Sequence, residues 1–193
     1  MNQPDNIPSA VQPLHISLCS AEESHTILNL YPLYLYDLSE IWDRQPNRHG
    51  IFEEEDSYHT LAQQSEVFRI WWQHPGILFP YLIRAGEVPA GFALVATPPY
   101  IPSYETIDYF MHEFFIMRPF RGQGLAQQAA RQIFAQFQGS WGLHTNPTER
   151  NGHARRFWQQ VLTDYTGNEY SSQLIQNPDD EQLLSFRFDN RKL

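Results

Sequence analysis

The residues best suited to do chemistry in this 193-residue chain begin at Arg121-Gly122-Gln123-Gly124-Leu125-Ala126. This run follows an apolar stretch, Phe114-Phe115-Ile116-Met117, and opens a segment with Leu125, Ala129, Ile133, Phe134 and Phe137 at helical spacing. The N-terminus of a helix leaves backbone N–H groups unpaired, and the macrodipole adds partial positive charge there. Glycines let the backbone turn tightly and approach a ligand closely. Together they make an anion cradle suited to a pyrophosphate, and Arg118 and Arg121 add fixed positive charge beside it. A Walker loop needs a Gly-Lys-Ser/Thr that is absent here. A dinucleotide fingerprint needs a small residue where Gln127 stands. The plain alternative is a tight turn that caps a helix.

Arg121, Gly124 and Ala126 fit a third phosphate-ligand pattern: Arg or Gln, two residues, Gly, one residue, then Gly or Ala. Downstream, Asn151 and Ala154 form an Asn-x-x-Ala element followed by Phe157-Trp158. On these residues the chain resembles the GNAT superfamily of acyl-CoA-dependent N-acyltransferases, and in detail a bacterial branch that implies no particular substrate. The specific matches run from Glu113 to Trp158, while the order of elements covers nearly the whole chain. The resemblance implies an α+β fold: a mixed, mostly antiparallel central sheet flanked by helices, with splayed central strands forming the acyl-CoA cleft. It implies acetyl-CoA as acyl-donor cosubstrate, no metal, and direct transfer to a primary amine of a small-molecule or peptide acceptor. The turn Arg121 to Ala126 would take the pyrophosphate. Phe115, Ile116 and Met117 would meet the pantetheine through backbone groups, with Asn151 and Trp158 also on the cofactor side.

Amide formation from a thioester needs a neutral amine, donors for the tetrahedral oxyanion and a proton for the thiolate. The resemblance makes Glu113 the candidate base, with His112 as the alternative because imidazole titrates near neutral pH. Strict alternation would put the two on opposite faces of a strand, and a bulge would relax that. A backbone N–H near Phe115 is the candidate oxyanion donor. The family's usual acid is a tyrosine where this chain has Trp158, whose indole N–H is donor-only. That departure keeps a non-catalytic acyl-CoA-binding module of the same fold as the alternative, and core packing as the other reading of Trp158. Asn151 also suits a helix N-cap. The acceptor site is expected in the segment holding Tyr31, Tyr34, Tyr36, Asp37, Glu40, Trp42 and Asp43, with Tyr36, Asp37 and Glu40 as contacts. Aromatic rings and carboxylates suit an ammonium group, although an ordinary amphipathic helix gives the same pattern.

The elements that must position these residues follow from periodicity and breakers. Leu14 to Leu18 alternates as a strand. A helix follows, with Ser20 as N-cap, acids in its first turn, and a break or kink at Pro32. Thr60 to His74 reads as a second helix. Strands are expected at Leu78 to Arg84 and Gly91 to Thr97, joined as a hairpin through Ala85 to Pro89, and at Ile107 to Met117. The helix after the glycine turn closes at Gly139. A strand at Trp141 to Thr145, a helix at Asn151 to Leu162 and strands at Tyr165 to Leu174 and Leu183 to Phe188 complete the order. Residues 1–12 read as a loose leader and 13–193 as a single domain. Glu53-Glu54-Glu55-Asp56 reads as a solvated acidic loop or helix start.

Bulk properties bound the rest. Hydrophobic content of 41% supplies a core, and net charge of −9 repels phosphate backbones, so nucleic acid is not an expected partner. No apolar run nears the ~18 residues that span a bilayer, and the polar N-terminus lacks a secretory pattern. A single cysteine, Cys19, makes no internal disulfide and is badly placed as a nucleophile; the cytoplasm is the expected compartment. Histidines 144 and 153 have no metal-binding spacing. A homodimer is left open.

Overall fold

The computed structural model describes residues 12–52 and 58–193. The expected leader therefore lies, apart from Gln12, outside the described residues, as does the acidic run 53–56. One seven-stranded sheet runs in the order β1-β2-β3-β4-β5-β7-β6. The strands are β1 (Leu14–Leu18), β2 (Leu78–Ala85), β3 (Val88–Ala96), β4 (Tyr109–Ile116), β5 (Ser140–Thr145), β6 (Tyr170–Gln176) and β7 (Gln182–Asp189). Every neighbouring pair is antiparallel except β4 and β5, which are parallel. The expected α+β class and mixed, mostly antiparallel sheet are thus what the chain adopts. No helix among the described residues is long and apolar enough to cross a membrane.

Alternation in the central strands builds a core on each face. Ile83, Ala93, Val95 and Met111 pack beneath α3 (Leu125–Phe134) and α4 (Gly152–Thr166), with Phe134 and Trp141 fully buried between them. Leu82, Phe92, Leu94 and Phe115 face the other way, against α1 (Ser24–Trp42) and a 3₁₀ turn at Glu66–Trp72. Fully burying a Phe or Leu side chain contributes roughly 1.5–3 kcal/mol, so these layers fix the strands that carry the site. Gly91 shows how closely β3 and β4 approach: a Cβ there would sit 2.0 Å from the Phe115 carbonyl oxygen.

Several element boundaries differ from the sequence reading, each for a local reason. Helix α1 begins at Ser24, and Ser20 instead caps the preceding turn, its Oγ accepting from Glu23 N–H. Pro32 does not end α1. Proline removes the N–H that would bond the carbonyl four residues back, here Leu28, and the buried Ser65 hydroxyl lies 3.0 Å from that oxygen. The expected helix 60–74 is a short α2 (Leu61–Ser65), started by a Thr60/Gln63 capping box, that tightens into the 3₁₀ turn. Helix α3 ends at Phe134 rather than at Gly139, which instead leads into β5.

Candidate active site

Strand β4 leaves the sheet through a short turn at Arg118–Phe120 and enters the glycine run. Gly122 and Gly124 both adopt φ of +76°, a region costly for any residue with a Cβ. Gly124 is the N-cap of α3, and no side chain caps the helix. The hydrogen bonds of the described residues leave the N–H groups of Gly122, Gln123 and Gly124 without a protein acceptor. A row of free donors at a helix start fits a pyrophosphate. Arg121 folds back along β4: its Nε donates to the Ile116 carbonyl at 2.6 Å, and its guanidinium lies 5.7 Å from the Phe115 ring centre. Arg118 and Arg121 both pair with Asp37 of α1, Arg118 at 2.8 Å.

Beside this turn the sheet opens. Parallel pairing of β4 with β5 covers only Tyr109–Met111 against Trp141–Leu143, and beyond it the strands part. Met117 N–H donates to Ala90 on β3, and the Phe115 carbonyl also points at β3. Alternation then turns the backbone groups of Phe114 and Ile116 toward the opening. The backbone groups of this stretch that face the opening are therefore those on either side of Phe115, where the oxyanion donor is expected.

The strand carries a bulge where the opening starts. Leu94 pairs with Glu113, but Val95 pairs with Met111, which leaves His112 as the extra residue. Bulging breaks alternation, and His112 and Glu113 both face the α1 side. Glu113 accepts a hydrogen bond from Tyr34 Oη on α1, while the His112 ring meets Trp71 edge-on at 5.5 Å. Burial raises the Glu113 carboxyl to about 7, with the Tyr34 bond pulling the other way. Tyr34 is held well above the ordinary phenol range by burial and by Glu113. The Nε2 of His112 donates to the Tyr100 carbonyl at 2.7 Å, and burial lowers its pKa, favouring a neutral ring. On β5, His144 Nε2 lies 2.8 Å from the buried Glu105, which Arg187 also engages at 2.8 Å.

The remaining expected site residues divide. Asn151 is buried and its amide ties α4 to the end of β5, donating to Thr145 Oγ1 at 2.7 Å and the Asn146 carbonyl at 2.8 Å. It occupies the N-cap position of α4 without making the cap bond. Trp158 is buried in the core with its ring against Phe114 and Phe134. Of the two readings of this position, these contacts are those of core packing, on the face opposite Glu113. Tyr36 and Glu40 are exposed on α1; Tyr36 packs on Phe52, and Glu40 borders a cavity of about 560 Å³ with Asp43, Phe52 and Arg150. Cys19 is buried, which pushes its thiol up to about 11 and makes it a poor nucleophile. Tyr34 and the Glu105–His144 pair escape a reading by motif, because nothing local in the sequence marks contacts this distant along the chain.

A parallel strand pair thus opens over a glycine turn at a helix start, with a carboxylate of raised pKa on the adjoining face, so that unpaired backbone donors and a candidate base lie beside one opening. Residues 35–163 match the Acetyltransferase (GNAT) family, and the chain belongs to it. Solved structures agree in fold. An acetyltransferase from Thermus thermophilus is 14% identical, with a TM-score of 0.57 over 93% of this chain and 99% of that one. The aminoglycoside acetyltransferase AAC(6')-Ib in complex with ribostamycin and coenzyme A is 13% identical, with a TM-score of 0.63 over 92% and 94%. A ribosomal-protein-S5-alanine acetyltransferase from Vibrio fischeri is 12% identical, with a TM-score of 0.55 over 93% and 94%. At these identities the likeness is one of fold. No curated protein sequence matches the chain.

Proposed function

We propose that this protein transfers an acetyl group from acetyl-CoA to a primary amine by direct attack, with Glu113 as the general base. The observation that carries the reading is the Glu113 carboxyl itself: raised to about 7, it lies on β4 where the strands part. A base titrating near the working pH combines a useful deprotonated fraction with real proton affinity. Acetyl-CoA supplies the activated acyl carbon. The N–H groups of Gly122, Gln123 and Gly124 suit its pyrophosphate, and the backbone of Phe114 and Ile116 suits the pantetheine amides and the oxyanion. Glu113 accepts the proton of the acceptor ammonium. A thiol of pKa ~8.5 leaves as a tolerable thiolate, so the loss of a phenol at Trp158 does not block turnover.

The structural relatives act on an aminoglycoside or bear the name of a ribosomal-protein alanine; for this chain the acceptor class proposed is a primary amine without further restriction. Thermal unfolding with acetyl-CoA, CoA, ATP and NAD tests the donor. A ligand at about a hundred times its Kd stabilises by roughly 2.7 kcal/mol, or about 5–10 °C at this chain length. The expected result is a shift with both CoA ligands and none with ATP or NAD. No shift with either CoA ligand at saturation overturns the reading. The core placement of Trp158 favours one rival, a module that binds acyl-CoA without turnover. An amine screen that detects released thiol separates the two: thiol release that depends on Glu113 establishes the enzyme.

A further inference from the structure

We propose that Tyr34 is the positioning residue for Glu113: its hydroxyl fixes one carboxylate oxygen and leaves the other to take the amine proton. The proposal rests on the reading of Glu113 as base. Its geometry is independent of that reading. Tyr34 Oη donates to Glu113 Oε2 across 79 positions of sequence. The Tyr34 ring is held by aromatic neighbours on several elements: Phe92 of β3 edge-on at 5.8 Å, Phe115 of β4 at 5.6 Å and Tyr31 of α1 at 6.5 Å. Such packing leaves the hydroxyl little freedom, so the oxygen that bonds it is fixed as well.

The helix that presents Tyr34 is itself secured at this point. Pro32 lies two residues earlier, where a proline would ordinarily kink α1. Ser65 lies 3.0 Å from the Leu28 carbonyl that Pro32 leaves without its helical partner, and α1 continues unbroken through Tyr34. The bulge at His112 completes the arrangement, because it turns Glu113 to the α1 face at the point where β4 and β5 separate.

A neutral donor to a carboxylate stabilises the charged form. Tyr34 is hydrogen-bonded to the Glu113 carboxyl, while the nearby His112 is engaged by the Tyr100 carbonyl and His144 by Glu105. Burial pushes Glu113 upward and Tyr34 restrains it. The hydroxyl thus does two things for the base: it aims the free oxygen and keeps the titration close to neutrality.

The test is a titration of carbon-13-labelled glutamate carboxyls by NMR in the free protein, with Glu113→Gln used to assign the Glu113 signal. Tyr34→Phe keeps the ring and its packing and removes only the donor. The expected result is a Glu113 midpoint higher by about 1 pH unit or more, as loss of one hydrogen bond to a charged group predicts. The acid limb of any acetyl-transfer rate should move up with it. An unmoved or lowered midpoint in Tyr34→Phe overturns the proposal. The titration needs no acceptor, so it reads the Tyr34 contact separately from catalysis. Retained turnover in Glu113→Gln would instead overturn the base assignment.

Discussion

The glycine turn after β4 and the Tyr34–Glu113 contact on β4 are near neighbours in the chain, built by opposite means. The turn is backbone: N–H groups at a helix start, held in place by left-handed glycines within a few residues of one another. The contact is side chain: a phenol and a carboxylate brought together by a bulge, a proline-bearing helix and a layer of aromatic rings. A backbone site tolerates change in most side chains nearby. A half-buried polar pair packed among aromatic rings tolerates less, because removing either partner leaves the other largely desolvated and unsatisfied. Hold on the donor's phosphates should therefore depend mainly on the turn and proton transfer mainly on the contact, and single substitutions can break that separation.

The largest effect is expected from Glu113→Gln. General-base catalysis contributes 10²–10⁴-fold, so turnover should fall by at least about 100-fold while the unfolding shift with acetyl-CoA is retained. Stability should move the other way. The folded Glu113 titrates near 7, above its ordinary value of 4.5, so the folded state holds the extra proton between those limits. Stability is then lost as pH rises through that window. Glutamine is free of this cost and still accepts from Tyr34. At pH 8 the variant should be more stable by on the order of 2 kcal/mol, or about 4–8 °C. Melting curves at pH 5 and pH 8 check this; no gain at pH 8 would mean that the carboxyl is not desolvated as described.

Gly124→Ala probes the other region. A Cβ at φ of +76° costs roughly 1–2 kcal/mol, and it disturbs the donors that face the phosphate. Acetyl-CoA affinity should fall about tenfold, which corresponds to ~1.4 kcal/mol, with the Glu113 titration unchanged. Paired with Glu113→Gln, the two losses should add, as they do for sites without shared partners. A large interaction energy would show the regions to be one unit.

The same contrast explains what is legible in the sequence. The turn can be read because its chemistry depends on residue type and local spacing: two glycines after an apolar strand, before helical periodicity. The sheet and most helices follow from alternation and breakers for the same reason. The splay of β4 from β5 comes from the resemblance, and the bulge at His112 can only be named as an exception to alternation. Tyr34 stands among the aromatic residues of its segment, with no local mark to single it out over Tyr36, which is exposed. Trp158 follows a family position, yet its ring meets the Phe114 and Phe134 layer and packs as core. Pro32 reads as a breaker because the compensating hydroxyl, Ser65, lies in another element.

That compensation gives a prediction of intermediate size. Ser65→Ala leaves the Leu28 carbonyl without its partner, and the Ser65 hydroxyl also sits 2.9 Å from the carbonyl of Leu61, the first residue of α2. Loss of a buried bond of this kind costs about 1–3 kcal/mol, or roughly 2–12 °C in midpoint. Because α1 carries Tyr34 but not the turn, Ser65→Ala should lower turnover more than acetyl-CoA affinity. Equal losses in both would mean that α1 supports the whole sheet rather than the contact.

Asp37 is where the two regions touch, and it gives the smallest expected effect. From α1 it pairs with Arg118 and Arg121 beside the glycine turn, and it is partly buried between them. Its negative charge offsets guanidinium charge that a pyrophosphate would otherwise meet. Asp37→Asn keeps the shape and removes the charge. If the regions are separate, acetyl-CoA should bind a few-fold more tightly, with a steeper dependence on salt as the freed arginines act on the phosphates. The Glu113 titration should not move. Weaker binding in Asp37→Asn would mean that the carboxylate holds the arginines in their working positions, so that α1 serves the donor as well as the base. Isothermal titration at low and physiological salt decides between the two.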